Sequence, residues 1–108
     1  MSGSPGFEEL TLRLRAFAEA RDWGRFHTPK DLAMSVSIEA AELLEVFQWK
    51  DAAEIDALVA SEAGRAALAD ELADVLIYLV RLADVVGIDL PSAALAKIER
   101  NEERFPAG

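Results

Sequence analysis

Two stretches limit what this chain can become more than any others. Residues 37–49 read S-I-E-A-A-E-L-L-E-V-F-Q-W, and residues 70–81 read D-E-L-A-D-V-L-I-Y-L-V-R. Both are rich in strong helix formers. Each carries two carboxylates three positions apart inside an otherwise apolar pattern, Glu39 with Glu42 and Glu71 with Asp74. Residues three apart on an α-helix lie roughly 60° from each other and one turn along, so each pair projects as a two-pronged oxygen donor. If the two helices pack together, four carboxylates meet in one interface, where repulsion and desolvation are costly unless a cation neutralises them. All-oxygen donors suit a hard ion, Mg²⁺ or Mn²⁺. The same acids could instead form the solvated faces of two amphipathic helices. Against that, Leu68, Leu72, Val75, Leu76, Ile77, Leu79, Val80 and Leu82 crowd around Glu71 and Asp74, a pattern that predicts a helix buried nearly all round.

The remaining sequence supplies further helices and short joints, with neither strand-like alternation nor an internal repeat. Leu10, Leu14, Phe17, Ala18 and Arg21 fall near helical spacing and predict a first helix over Phe7–Trp23, broken by Gly24. Thr28 as N-cap and Pro29 at the first position open a second helix, which runs to about Lys50. Asp51 and Glu54 have the form of a capping box and start a short helical segment to Ala60. Ser61 caps a third helix, Glu62–Val86, which Gly87 ends as a left-handed cap. Asp89-Leu90-Pro91 opens a fourth, which carries Leu95 and Ile98 and stops before Pro106. The expectation is an all-α four-helix bundle forming one domain over residues 1–108, with residues 1–6 as a disordered tail. The third helix is apolar on too many sides for a chain of 108 residues to cover, which predicts a homo-oligomer.

Charge excludes some partners. A net charge of −9 argues against nucleic acid and anionic membrane, because a polyphosphate surface needs a basic one. A nucleotide stays possible, since a metal can carry its charge. No Cys is present, so disulfides and thiolate chemistry are out. No apolar run approaches the length of a membrane span, and residues 1–6 lack the apolar core of a signal peptide. A soluble, cytoplasmic protein is expected.

Several residues outside the acidic pairs invite a role. Tyr78 follows Glu71 by seven positions, which returns it to the same helical stripe. Lys97, Asn101 and Arg104 fall on one face of the fourth helix and suit phosphate oxygens, although basic residues at a helix C-terminus also simply balance the dipole. Trp23 and Trp49 each end a helix, where an indole serves as edge packing or as one side of a slot for a planar base. His27 has no second His or Cys with which to hold a metal, and reads as structural.

These motifs carry a family resemblance. Glu39-x-x-Glu42 followed by Glu71-x-x-Asp74 resembles the metal signature of the MazG-like all-α nucleoside triphosphate pyrophosphohydrolases. R-D-W-G-R-F-H-T-P-K (21–30), E-A-A-E-L-L-E-V-F-Q-W-K (39–50), E-L-A-D-V-L-I-Y-L-V (71–80) and D-L-P-x-A-x-x-x-K-x-x-x-N-x-x-R-F-P (89–106) resemble the dCTP pyrophosphatase branch. The resemblance implies that Glu39, Glu42, Glu71 and Asp74 bind Mg²⁺, that Trp23, Trp49 and Tyr78 line a base pocket, and that Lys97, Asn101 and Arg104 hold phosphates. It also implies a homodimer, or a homotetramer built as a dimer of dimers. Two positions depart from the pattern. Ile38 stands where the wider superfamily often has an additional Glu, and Leu14 stands where dCTP-specific members carry a His that contacts cytosine.

The activity this implies is Mg²⁺-dependent hydrolysis of a (deoxy)nucleoside triphosphate to monophosphate and pyrophosphate, with Glu42 and Glu45 as candidates for the group that takes a proton from water. Such an enzyme would clear dCTP or modified pyrimidine nucleotides from the pool. Because Leu14 offers only apolar contact, the substrate range is expected to be broader than that of a strict dCTP enzyme, with pyrimidine deoxynucleotides still favoured. The alternatives are a relative preferring dUTP or ITP, and a non-catalytic acidic helical module that assembles through its second and third helices.

Overall fold

The computed structural model describes residues 6–107, and all the regular structure among them is helical. The expected tail lies outside the described residues, apart from Gly6, which precedes the first helix. Five α-helices follow in order: α1 (Phe7–Ala20), α2 (Pro29–Phe47), α3 (Ala52–Ala60), α4 (Glu62–Val86) and α5 (Leu90–Arg104), with a 3₁₀ turn at Gly24–Phe26. The short segment after Asp51 is thus a nine-residue helix in its own right.

Local signals in the sequence set most of the helix starts. Thr28 Oγ1 accepts from the Asp31 amide at 3.2 Å. Asp51 and Glu54 close a reciprocal capping box, with 2.9 Å and 3.1 Å bonds. Ser61 Oγ accepts from the Gly64 amide at 2.9 Å, and Asp89 Oδ1 from the Ser92 amide at 3.2 Å. Each satisfies a donor that the helix itself leaves unpaired. Gly87 ends α4 at φ 74°, as expected, and Ile88 N–H bonds back to the Ala83 carbonyl.

Two helices stop earlier than their spacing suggests. α1 ends at Ala20, not Trp23, because Asp22 takes a left-handed conformation (φ 54°). Its amide then bonds to the Glu19 carbonyl and that of Trp23 to the Ala18 carbonyl, the double closure of a Schellman motif, which an aspartate accomplishes before Gly24 is reached. α2 ends at Phe47, not Lys50. Gln48 (φ −57°, ψ 137°) and Trp49 (φ 67°) form the centre of a type II turn, closed by Lys50 N–H on the Phe47 carbonyl at 3.2 Å.

α4 is the central element: α2 packs along it most extensively, and α3 and α1 cover parts of what remains. His27, just before α2, meets Arg81 late in α4, while Glu39 and Glu42 meet Glu71 and Asp74 earlier in it. The two helices therefore run antiparallel. Gly64 marks a close approach of α3 and α4: a Cβ there would stand 2.0 Å from the Leu58 carbonyl oxygen.

The core is thin. Among the described residues, Ala18, Leu32, Val80 and Ala83 are the buried apolar ones. The accessible surface of 8140 Å² exceeds the roughly 5,900 Å² typical of a folded monomer of this mass. α4 is accordingly not buried all round within the single chain: Leu72, Leu76, Ile77 and Leu79 remain exposed, as do Ile38 and Leu44 on α2. α5 makes only sparse contact with the other helices.

Candidate metal centre and adjoining cavity

Packing of α2 on α4 brings the two acidic pairs together. One carboxylate oxygen from each of Glu39, Glu42, Glu71 and Asp74 lies within 4.8 Å of the other three, so the four form a group that can hold a metal ion. Glu42 is exposed and the others are half-buried. Oε2 of Glu39 and Oε2 of Glu71 are shielded from solvent and find no hydrogen-bond partner among the described residues. An anion in that position has lost its hydration without compensation.

The electrostatics agree. The Glu39 carboxyl is held above the usual carboxylate range by a hydrogen bond shared with Glu42, by burial, and by the charges of Glu42, Asp74 and Glu71. Glu71 is raised by burial first, then by Glu42, Asp74, Asp70 and Glu45. Acids on a merely solvated face would have water on every oxygen and little reason to resist ionisation. Two stranded buried oxygens in an all-carboxylate set fit a hard divalent cation.

Beside the acids lies a cavity of about 420 Å³, lined by Leu14, Phe17, Ala18, Trp23, His27, Asp74, Ile77, Tyr78 and Arg81. Asp74 belongs to both sites, and Tyr78 follows it by one helical turn. Two contacts hold the aromatic wall: Phe17 meets Trp23 edge-on with ring centroids 5.4 Å apart, and the Arg21 guanidinium lies over the Phe17 ring, 3.5 Å from its centroid. A wider groove of about 620 Å³, between α1 and the end of α4, shares no residue with the acidic cluster.

Of the residues singled out in the sequence, the fold unites the four acids, Tyr78, Trp23 and Leu14. Glu45 is near enough for its charge to act on Glu71. Trp49, in the turn after α2, is 91% exposed and lines neither the cavity nor the acidic cluster. Lys97, Asn101 and Arg104 on α5 line neither the cavity nor the cluster.

The fold also assembles a polar chain that the sequence reading passed over. Arg81, 9% exposed, donates from Nε to Nδ1 of His27 at 3.0 Å and from Nη1 to Asp84 Oδ2 at 3.3 Å. Asp84 in turn takes a two-pronged bond from Arg15. Burial and the neighbouring Arg81 charge push the His27 pKa down, so the ring is neutral. A lone Arg inside the apolar run of α4, with an acid three residues on, was the available signal.

A model of the MazG-like family matches residues 34–108. The chain belongs to the MazG-like family. The dCTP pyrophosphatase 1 of Homo sapiens is 44% identical over 106 residues, covering 98% of this chain, and that of Rattus norvegicus is 43% identical over 105 residues, covering 97%. The chain spans 62% of the length of these curated relatives. The crystal structure of a pyrophosphatase from Archaeoglobus fulgidus DSM 4304 superposes with a TM-score of 0.87 at 42% identity, covering 99% of this chain and 98% of that one. The all-helical fold and the family agree with the sequence reading. Among the described residues, no helix is long and apolar enough to cross a membrane.

Proposed function

We propose that this chain is a Mg²⁺-dependent nucleoside triphosphate pyrophosphohydrolase that acts on deoxynucleotides, with dCTP or modified pyrimidine nucleotides preferred. The observation that carries this reading is the placement of two stranded carboxylate oxygens in an acid quartet directly beside an aromatic cavity sized for a base. The names and folds of the relatives point the same way.

Glu39, Glu42, Glu71 and Asp74 would hold the cation, Mg²⁺ or Mn²⁺. When bound, it supplies neutralisation of the polyphosphate charge and a more acidic water. The protein's own groups do the rest. The walls formed by Phe17, Trp23, Ile77 and Tyr78 stack on the base and exclude water from it. Glu42, the exposed acid, and Glu45, whose charge acts on Glu71, are the candidates to accept a proton from the attacking water, which would cleave between the α and β phosphates. Products are a nucleoside monophosphate and pyrophosphate.

A homodimer or a dimer of dimers completes the reading. The exposed apolar positions on α2 and α4 need cover, and Trp49, Lys97, Asn101 and Arg104, which do not line this chain's own cavity, would serve the site of a neighbouring protomer. A non-catalytic assembly module would share that surface but gives no reason for stranded buried carboxylates.

The test is hydrolysis of a panel of common and modified triphosphates with Mg²⁺, with excess chelator, and with Glu71→Ala. Pyrophosphate release in Mg²⁺ alone supports the reading. Release that persists in chelator or in Glu71→Ala overturns it.

A further inference from the structure

We propose that Arg81 and His27 together read the base, by presenting adjoining hydrogen-bond donors to a pyrimidine edge that carries two adjacent acceptors. Among pyrimidines only cytosine has that edge, its O2 and N3; uracil and thymine carry a hydrogen on N3. The proposal rests on the nucleotide reading of the cavity and names what selects among nucleotides there.

Leu14 offers no hydrogen-bond donor. Leu14 does line the cavity, but as an apolar wall, along with Phe17, Trp23 and Ile77. The polar part of the wall comes instead from Asp74, Tyr78 and Arg81 on α4 and from His27 just before α2, and of these Arg81 and His27, 54 apart in sequence, bond to each other. Arginine has only donors, so the nitrogen of His27 that meets Arg81 Nε at 3.0 Å must be the unprotonated one. In the neutral ring this fixes the hydrogen on Nε2, and the imidazole becomes a donor toward any ligand. Arg81 uses one N–H on His27 and one on Asp84, and its guanidinium retains others.

The pair is also held rigidly. Asp84 balances the buried cation, and Arg15 fixes Asp84 from α1 with bonds of 3.0 and 2.6 Å. Arg81 therefore has a resident counter-ion that it shares with Arg15, and its remaining N–H donors can meet a neutral base. Trp23 lies edge-on to His27 with ring centroids 6.3 Å apart, so the stacking wall and the donors meet at one corner of the cavity. A uracil in the same pose would push its N3–H against donors, and a site built to bond a ligand group discriminates strongly against one that leaves it unpaired.

The experiment measures binding of dCMP and dUMP by tryptophan fluorescence for the wild type, Arg81→Gln, His27→Phe and Leu14→Ala, each first shown to be folded by circular dichroism. The wild type is expected to bind dCMP at least tenfold more tightly than dUMP. Arg81→Gln and His27→Phe should each bring that ratio to within threefold of one, while Leu14→Ala weakens both ligands and keeps the ratio. If Arg81→Gln does not fold, His27→Phe alone decides, since His27 is only half-buried. A wild type without preference, or a folded His27→Phe that keeps it, overturns the proposal. Triphosphate hydrolysis measured in parallel separates the two readings. A wild type that prefers dCMP over dUMP and loses the preference in Arg81→Gln and His27→Phe, but hydrolyses no triphosphate, refutes the enzyme and supports the donor pair.

Discussion

Arg15 grips Asp84 with both arms of its guanidinium, Nε to Oδ2 at 3.0 Å and Nη2 to Oδ1 at 2.6 Å, and so ties α1 to α4. The bond to Arg15 holds the Asp84 carboxyl below its usual value of 3.8, with the Arg15 and Arg81 charges acting in the same direction against burial. A depressed carboxylate contributes stability that is present above its unfolded pKa and lost as pH falls through the folded one. Asp84→Asn should therefore cost about 1.5–3 kcal/mol at neutral pH, because Arg81 is left with a buried charge and a weaker partner. The gap between wild type and variant should close as pH drops below the carboxylate range. Urea denaturation from neutral pH down through the carboxylate range checks both; an Asp84→Asn protein as stable as the wild type at neutral pH would mean the ion pair contributes nothing.

The acid quartet carries the opposite sign. Glu39 and Glu71 have raised pKa values, so their protonated forms favour the folded state: the relief is complete below the unfolded value of 4.5 and lost as pH rises through the folded one. In chelator, Glu71→Gln should melt higher than wild type at neutral pH, and the difference should shrink on acidification. Mg²⁺ should reverse the order, since saturation to about a hundred times Kd adds roughly 2.7 kcal/mol to a protein that binds it. A Glu71→Gln melt that responds to Mg²⁺ as fully as the wild type would remove Glu71 from the metal set.

What could be seen in the sequence was local. Caps at Thr28, Asp51, Ser61 and Gly87 work through neighbours within five residues, and the acidic pairs are spaced by a helical turn, so both were legible. The ends of α1 and α2 were not, because Asp22 and Trp49 adopt left-handed backbone, which Asp takes only occasionally and Trp rarely. The Arg81–His27 contact was invisible for a different reason: it joins two elements 54 residues apart, and either residue alone has an ordinary structural explanation. The exposed stretch of α4 was read as buried because periodicity records how apolar a face is, not which chain covers it.

Gly64 should resist substitution against the usual helical trend. In most helices Gly→Ala gains close to 1 kcal/mol. At this position the added carbon would stand 2.0 Å from the Leu58 carbonyl oxygen and 2.7 Å from Ser61 Oγ, the atom that caps α4. The α3–α4 joint would have to open, losing the cap as well as the packing. Gly64→Ala should destabilise by about 2–4 kcal/mol, and a melting temperature at or above that of the wild type would show that the joint is slack.

Trp49 occupies the third position of a type II turn, with φ 67°, where glycine is the ordinary occupant. A bulky L-residue there costs about 1–2 kcal/mol, and its side chain, 91% exposed, recovers almost none of that within the chain. Replacement by glycine relieves the strain but adds about 0.5–1 kcal/mol of unfolded-state entropy, so Trp49→Gly should be more stable by a net amount near 0.5–1 kcal/mol. If the indole is retained for stacking on a base, the same variant should bind nucleotide about 1–3 kcal/mol more weakly. Denaturation and nucleotide titration on one preparation test both halves. A Trp49→Gly protein that gains stability and keeps its nucleotide affinity would leave the strained tryptophan without a role at the site. A variant that loses stability in a concentration-dependent way would instead place Trp49 against a second protomer, since only association makes unfolding depend on concentration.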